Sequence, residues 1–110
     1  MLKIVIARDF TDTVGGRYIK EGDYSGELFR EEILGPKLKQ ALASKDNLLI
    51  DFDGGYGYPT SFLEESFGGL VRDGFDKKAI LNTLLFKSED NLKIVERVKN
   101  YIMDAKENEK

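Results

Sequence analysis

The sequence predicts a small α/β domain, and three observations carry that expectation. Short apolar runs recur at residues 2–7, 48–50 and 83–87, each of strand length. Longer stretches between and after them repeat their apolar residues at helical spacing. The middle of the chain, Asn47 to Val71, reads as strand, glycine-rich loop and helix in direct succession. Strands separated by helices need crossover connections, which are right-handed and favour a largely parallel or mixed sheet.

Leu2, Ile4 and Ile6 alternate with Lys3 and Val5, so residues 2–7 are expected to form the first strand. Thr11 to Gly16 reads as a loop, Arg17-Tyr18-Ile19 as a second short strand, and Glu21-Gly22-Asp23 as a turn. A helical pattern begins near Ser25. Phe29, Ile33, Leu34, Leu38, Ala41 and Leu42 share one stripe, with Arg30, Glu31, Lys37, Lys39 and Gln40 off it. Gly35-Pro36 interrupts this pattern, and a proline inside a helix predicts a kink or two abutting helices. Leu48-Leu49-Ile50 suits a buried central strand. Phe62, Leu63, Phe67, Leu70 and Val71 define the apolar face of the central helix, which ends at Arg72-Asp73-Gly74. Asp76 is expected to cap a short helix over 77–82, Thr83 to Lys87 to form the last strand, and Ser88 to cap a final helix. That helix carries Leu92, Val95, Val98 and Ile102 on its apolar face. Residues 1–105 form one domain, and 106–110 a polar tail.

Composition narrows the function. At 110 residues, 41% hydrophobic, with seven phenylalanines and five tyrosines, the chain can bury one modest core. No apolar run approaches the ~20 residues that span a bilayer, and Met1-Leu2-Lys3-Ile4 reads as a strand rather than a signal peptide. The absence of cysteine removes disulfides and a thiol nucleophile, and the default compartment is the cytoplasm. The absence of histidine removes the usual neutral-pH base, the Ser-His-Asp arrangement and His-containing zinc sites. Catalysis would have to rest on carboxylates, lysine, tyrosine or a bound metal. A net charge of −3 provides no basic footprint for nucleic acid.

Candidate function concentrates in the central loop. A strand feeding a glycine loop and a helix start presents free N–H groups and the positive end of a helix dipole to an anion. The P-loop pattern fails, because Gly54 leads to Pro59 rather than to Gly-Lys-Ser/Thr. Gly55-x-Gly57-x-x-Thr60 matches only part of the dinucleotide fingerprint, which leaves a nucleotide ligand on an Asp53–Ser61 cradle as an alternative. Ser61 and Glu64 have the spacing of a capping box, and a phosphate added at Ser61 would also suit a helix start, with Glu64 and Glu65 opposing part of the gain. Asp51 and Asp53 share a strand face: they are a magnesium or proton-transfer pair, or else a turn in which Asp51 meets a loop N–H or Arg17, Arg30 or Arg72. Gly68-Gly69 inside a helix costs roughly 1 kcal/mol per glycine, so something is expected to approach closely there: the sheet behind or a partner in front. Tyr56 and Tyr58 are either exposed partner anchors or folded back over the loop.

At these residues the chain resembles a family. Leu48-Leu49-Ile50-Asp51-Phe52, followed by Pro59-Thr60-Ser61-Phe62-Leu63-Glu64-Glu65-x-Phe67-Gly68-Gly69-Leu70, is similar to the STAS-like domain family of uncharacterised bacterial proteins. Ser25-Gly26-Glu27-Leu28-Phe29-Arg30 resembles that family's other recurrent segment, and together they cover about Gly15 to Ile102. The family is related to STAS domains of anti-sigma-factor antagonists. The resemblance implies a mixed sheet with helices mainly on one side, and a role in docking a protein partner rather than in catalysis. In the antagonists that partner is a histidine-kinase-like ATPase, which phosphorylates a serine at the start of the helix after a central strand. By position Ser61 matches the phosphoacceptor and Thr60 the residue before it. Here Pro59-Thr60-Ser61-Phe62 replaces the antagonist Asp-Ser-Ser-Gly. The surface expected to bind a partner or ligand comprises Asp53, Gly55, Tyr56, Gly57, Tyr58, Glu64, Glu65, Gly68 and Arg72. No cofactor, nucleic acid or membrane is expected.

Overall fold

The computed structural model describes residues 1–107. The part of the expected tail at 108–110 lies outside them. Three short strands, β1 (Leu2–Val5), β2 (Leu48–Asp51) and β3 (Leu84–Lys87), form one sheet in the order β1-β2-β3. Both pairings are parallel. The α/β class is as the sequence predicts, with the sheet parallel rather than mixed. The segment expected to supply a further strand, Arg17-Tyr18-Ile19, instead leads into a single 3-10 turn at Ile19–Glu21. Two of its three amides are spent locally rather than on a sheet: Glu21 Oε1 accepts from Tyr18 N–H at 2.8 Å and Glu27 Oε1 from Ile19 N–H at 2.9 Å.

Five helical elements complete the fold. A single turn, α1 (Ile6–Asp9), follows β1. Helix α2 runs over residues 26–43, opened by Ser25, whose hydroxyl accepts from Leu28 N–H at 3.0 Å. It passes through Pro36 without breaking. The wider π turn Arg30–Leu34, closed by Gly35 N–H on the Arg30 carbonyl, stands just before the proline and relieves the crowding its ring imposes one turn back. Helix α3 spans residues 60–72, and it too contains a π turn, Glu64–Gly68. It closes with Gly74 N–H on the Val71 carbonyl. Helix α4 (Lys77–Thr83) has the expected Asp76 cap, which accepts from Ala79 N–H at 3.0 Å. The last helix, α5 (Lys93–Asp104), begins later than Ser88. Ser88 donates to the Asn91 carbonyl at 2.7 Å within the preceding turn rather than capping a helix, and Leu92 is left 79% exposed.

The registers place Leu2, Leu48 and Leu84 in one row and Ile4, Ile50 and Phe86 in the next. These rows face the helices. Ile4, Leu48 and Ile50 are fully buried, together with Phe29, Leu34 and Leu38 of α2 and Phe62, Leu63, Phe67, Leu70 and Val71 of α3. Each such side chain contributes about 2 kcal/mol through burial. Gly26 lets α2 and α3 approach, since a Cβ there would meet the Phe62 carbonyl at 2.6 Å, and Ser66 Oγ donates to the Gly26 carbonyl at 3.3 Å. Both crossovers run in the same sense across the sheet and α5 packs on the middle of α3, so the helices lie on one side. Among the described residues no helix is long and apolar enough to cross a membrane.

Candidate functional site

The carboxyl ends of the three strands open into loops that are knitted into one platform. In parallel sheets this end is where ligands and partners gather. Asp53 is the knot. Its carboxylate accepts from Glu89 N–H at 2.8 Å, Asp90 N–H at 2.9 Å and Lys87 Nζ at 3.0 Å. Asp90 returns the contact by accepting from Gly54 N–H at 3.2 Å, and Tyr56 N–H donates to the Asp12 carbonyl at 2.9 Å. The loop after β2 is therefore tied to the loops after β1 and β3. Hydrogen bonds from the Asp90 and Glu89 amides, then from Lys87, hold the Asp53 carboxyl below its ordinary value of 3.8.

Asp51 and Asp53 take the structural role among those the sequence left open, Asp51 meeting a loop N–H as one alternative had it, with Lys87 rather than an arginine as its nearby cation. Asp51 accepts from Asp53 N–H at 2.9 Å, and Lys87 Nζ stands 3.7 Å from its carboxylate. Lys87 is the register partner of Asp51 on β3. Among the described residues no group of three or more metal-ligating side chains comes together.

The two loop tyrosines part company. Tyr58 folds back: its hydroxyl donates to the Phe52 carbonyl at 3.0 Å and its ring meets Phe52 edge-on at 5.4 Å. Burial, with Asp51 and Asp53 nearby, pushes its phenol up to about 12. Gly55 makes room for this arrangement, since a Cβ there would lie 2.9 Å from the Tyr58 hydroxyl. Tyr56 points outward and is 85% exposed, flanked by Gly54 (φ +91°) and Gly57 (φ +131°), whose left-handed backbones turn the loop.

Helix α3 starts beside this rim. Its N-cap is Pro59, which has no side-chain acceptor, so Thr60 is the first helical residue and Ser61 the second. The expected Ser61–Glu64 capping box does not form, because Glu64 is drawn away by two guanidinium groups. Thr60 is exposed and Ser61 half-buried. Arg97 of α5 donates to Thr60 Oγ1 at 3.1 Å, a neighbour that sequence reading missed because α5 lies 37 residues away.

Glu64, Glu65, Gly68 and Arg72 belong to a second cluster, turned inward along α3. Arg72 binds Glu64 in a two-pronged contact, 2.7 and 3.0 Å, and Arg17 approaches Glu64 from the other side. Burial pushes the Glu64 carboxyl up, but hydrogen bonds from Arg72 and Arg17 outweigh it and leave it below the ordinary 4.5. Arg30, expected on the solvent side of α2, lies inside. Its Nη1 donates to Glu65 Oε2 at 2.7 Å and to the Glu65 carbonyl, and its Nε to Asp73 Oδ2 at 2.9 Å. The Gly68-Gly69 pair is explained here, by charged side chains of the chain itself rather than by sheet or partner. A Cβ on Gly69 would overlap the Arg30 guanidinium, and one on Gly68 the Glu64 carboxylate.

A family model described as a STAS-like domain of unknown function (DUF4325) matches residues 25–93, more than half of the chain. No curated protein and no solved structure matches the sequence.

Proposed function

The chain belongs to the STAS-like domain family of unknown function, and from that membership we propose that it is a non-enzymatic, cytoplasmic regulatory module that docks a protein partner. The docking surface is the rim of the 53–59 loop together with the start of α3. The observation that carries this reading is the outward Tyr56, 85% exposed on a loop braced by the Asp53 carboxylate and by the Gly54 and Tyr56 amides. An exposed tyrosine on a braced loop suits a partner anchor. The partner suggested by the resemblance to anti-sigma-factor antagonists is an ATPase of the histidine-kinase-like fold.

Switching by phosphorylation fits the same place. Transfer would move the γ-phosphoryl of ATP onto the hydroxyl oxygen of Thr60 or Ser61, with ADP leaving and the hydroxyl proton passing to a base of the kinase. At Thr60 the phosphate would meet Arg97 and the first amides of α3. Glu64 and Glu65, a source of repulsion on sequence grounds, are neutralised by Arg17, Arg72 and Arg30. In the nucleotide reading, two of the cradle's amides, Gly54 and Tyr56, are already spent on Asp90 and Asp12. With no cysteine or histidine in the sequence, and with Asp51 and Asp53 held by Lys87 and backbone amides, a catalytic role has little to work with.

The test of the switch is the intact mass of the protein after incubation with ATP in lysate of the source organism. One added phosphoryl group, lost in Thr60→Ala or in Ser61→Ala but not in both, is expected. No addition in a lysate that phosphorylates other proteins removes the switch and leaves docking alone.

A further inference from the structure

The outer face of the sheet lacks a layer. Parallel sheets occur almost only with helices on both faces, yet here α2, α3 and α5 all lie on one. On the other face the registers set Lys3, Leu49 and Leu85 side by side, with Val5, Asp51 and Lys87 in the next row. Val5, Leu49 and Leu85 are contiguous in this arrangement. Leu85 is 43% exposed, while its inward neighbour Leu84 is buried. Asp51 is covered by Lys87, which lies across it. Lys3 is exposed and has no ion-pair partner among the described residues.

We propose that this face is completed by a single amphipathic helix of another protein, with an apolar stripe on Val5, Leu49 and Leu85 and a carboxylate flank on Lys3. Size favours one helix over a second copy of this chain. Three strands of four residues offer a strip of roughly 14 by 13 Å, about the footprint of one helix some 10 Å across. Charge fixes the flank: among the described residues Lys3 makes no ion pair, although Asp9 and Glu32 border the same cavity, whereas Lys87 shares its charge with Asp51 and Asp53. The face is distinct from the Tyr56 rim, so either surface can fail without the other.

Two synthetic amphipathic helical peptides test the proposal, one with leucine stripe and glutamate flanks, the other identical but with lysine flanks. Binding is followed by methyl NMR of the intact protein. The glutamate peptide is expected to shift the Val5, Leu49 and Leu85 methyls and leave Thr60 unmoved, and Leu85→Glu to weaken it about tenfold. Lys3→Glu is expected to reverse the preference between the peptides, by about fivefold in each direction. The proposal is overturned if the glutamate peptide moves none of the three methyls, or if Lys3→Glu leaves the preference unchanged. It is equally overturned if sedimentation shows a dimer that Leu85→Glu abolishes, since a second copy would then be the missing layer.

Discussion

Arg30 of α2 reaches across to Glu65 of α3, Nη1 to Oε2 at 2.7 Å, with both side chains more than nine-tenths buried and the π turns of their two helices facing each other. Breaking a buried pair from one side is costly, and it would leave Glu65 only the longer contacts from Arg17 at 3.4 Å and Arg72 at 3.5 Å. Arg30→Met is therefore expected to cost about 3 kcal/mol in urea unfolding. The double variant Arg30→Met/Glu65→Met should recover most of that loss. Equal loss in single and double variants would show that the pair is not what holds the helices.

Gly69 gives a prediction whose sign opposes helix propensity. Alanine in a helix interior ordinarily gains about 1 kcal/mol over glycine. Here a Cβ would overlap the Arg30 guanidinium, so Gly69→Ala should lower the melting temperature. In an Arg30→Met background the same change should be neutral or stabilising, because the space is then free.

These two residues mark the limit of what could be read from the sequence. The apolar face of α3, the Asp76 cap and the three strands were legible, because each rests on neighbours close in sequence and on regular periods of 2 or 3.6. Arg30 was not. Its charge read as solvent-facing, and the acids that hold it inside, Glu65 and Asp73, lie 35 and 43 residues away. The Gly68-Gly69 signal was readable as close approach, but its occupants come from α2 and from Glu64 itself. The Ser61 cap failed because the helix begins at Thr60, and the arginines holding Glu64 are 47 residues upstream and eight downstream. Lys87 was invisible beside Asp51 until the β2–β3 register was known.

Acid should weaken the fold through Glu64. Its folded pKa lies below the ordinary 4.5, so the unfolded chain takes up this proton first as pH falls. The contribution is complete above pH 4.5 and is lost as pH drops through the lower, folded value. Stability measured by denaturant between pH 6 and 3 should fall below about pH 5. Glu64→Gln should be less stable at pH 6 and show a shallower acid slope.

Tyr58 sets the alkaline limit. Burial and the nearby aspartates raise its phenol to about 12, against 10.0 ordinarily. The unfolded chain releases this proton first, so stability should decline as pH rises from 10 toward 12. An ultraviolet titration should resolve one tyrosine ionising near the top of that range, and Tyr58→Phe should remove it. A titration in which that variant loses only an ordinary tyrosine would contradict the folded-back loop.

The docking claim meets its most direct test in affinity capture from lysate of the source organism, with wild type, Tyr56→Ala, Thr60→Glu and Leu85→Glu as baits. A histidine-kinase-like ATPase is expected on the wild type and on Leu85→Glu, whose change lies on the outer sheet face. It should be strongly reduced on Tyr56→Ala and Thr60→Glu, both of which alter only exposed side chains of the rim. An ATPase held equally by all four baits, or by none of them, would contradict the assignment of the 53–59 loop and the start of α3 as the partner surface.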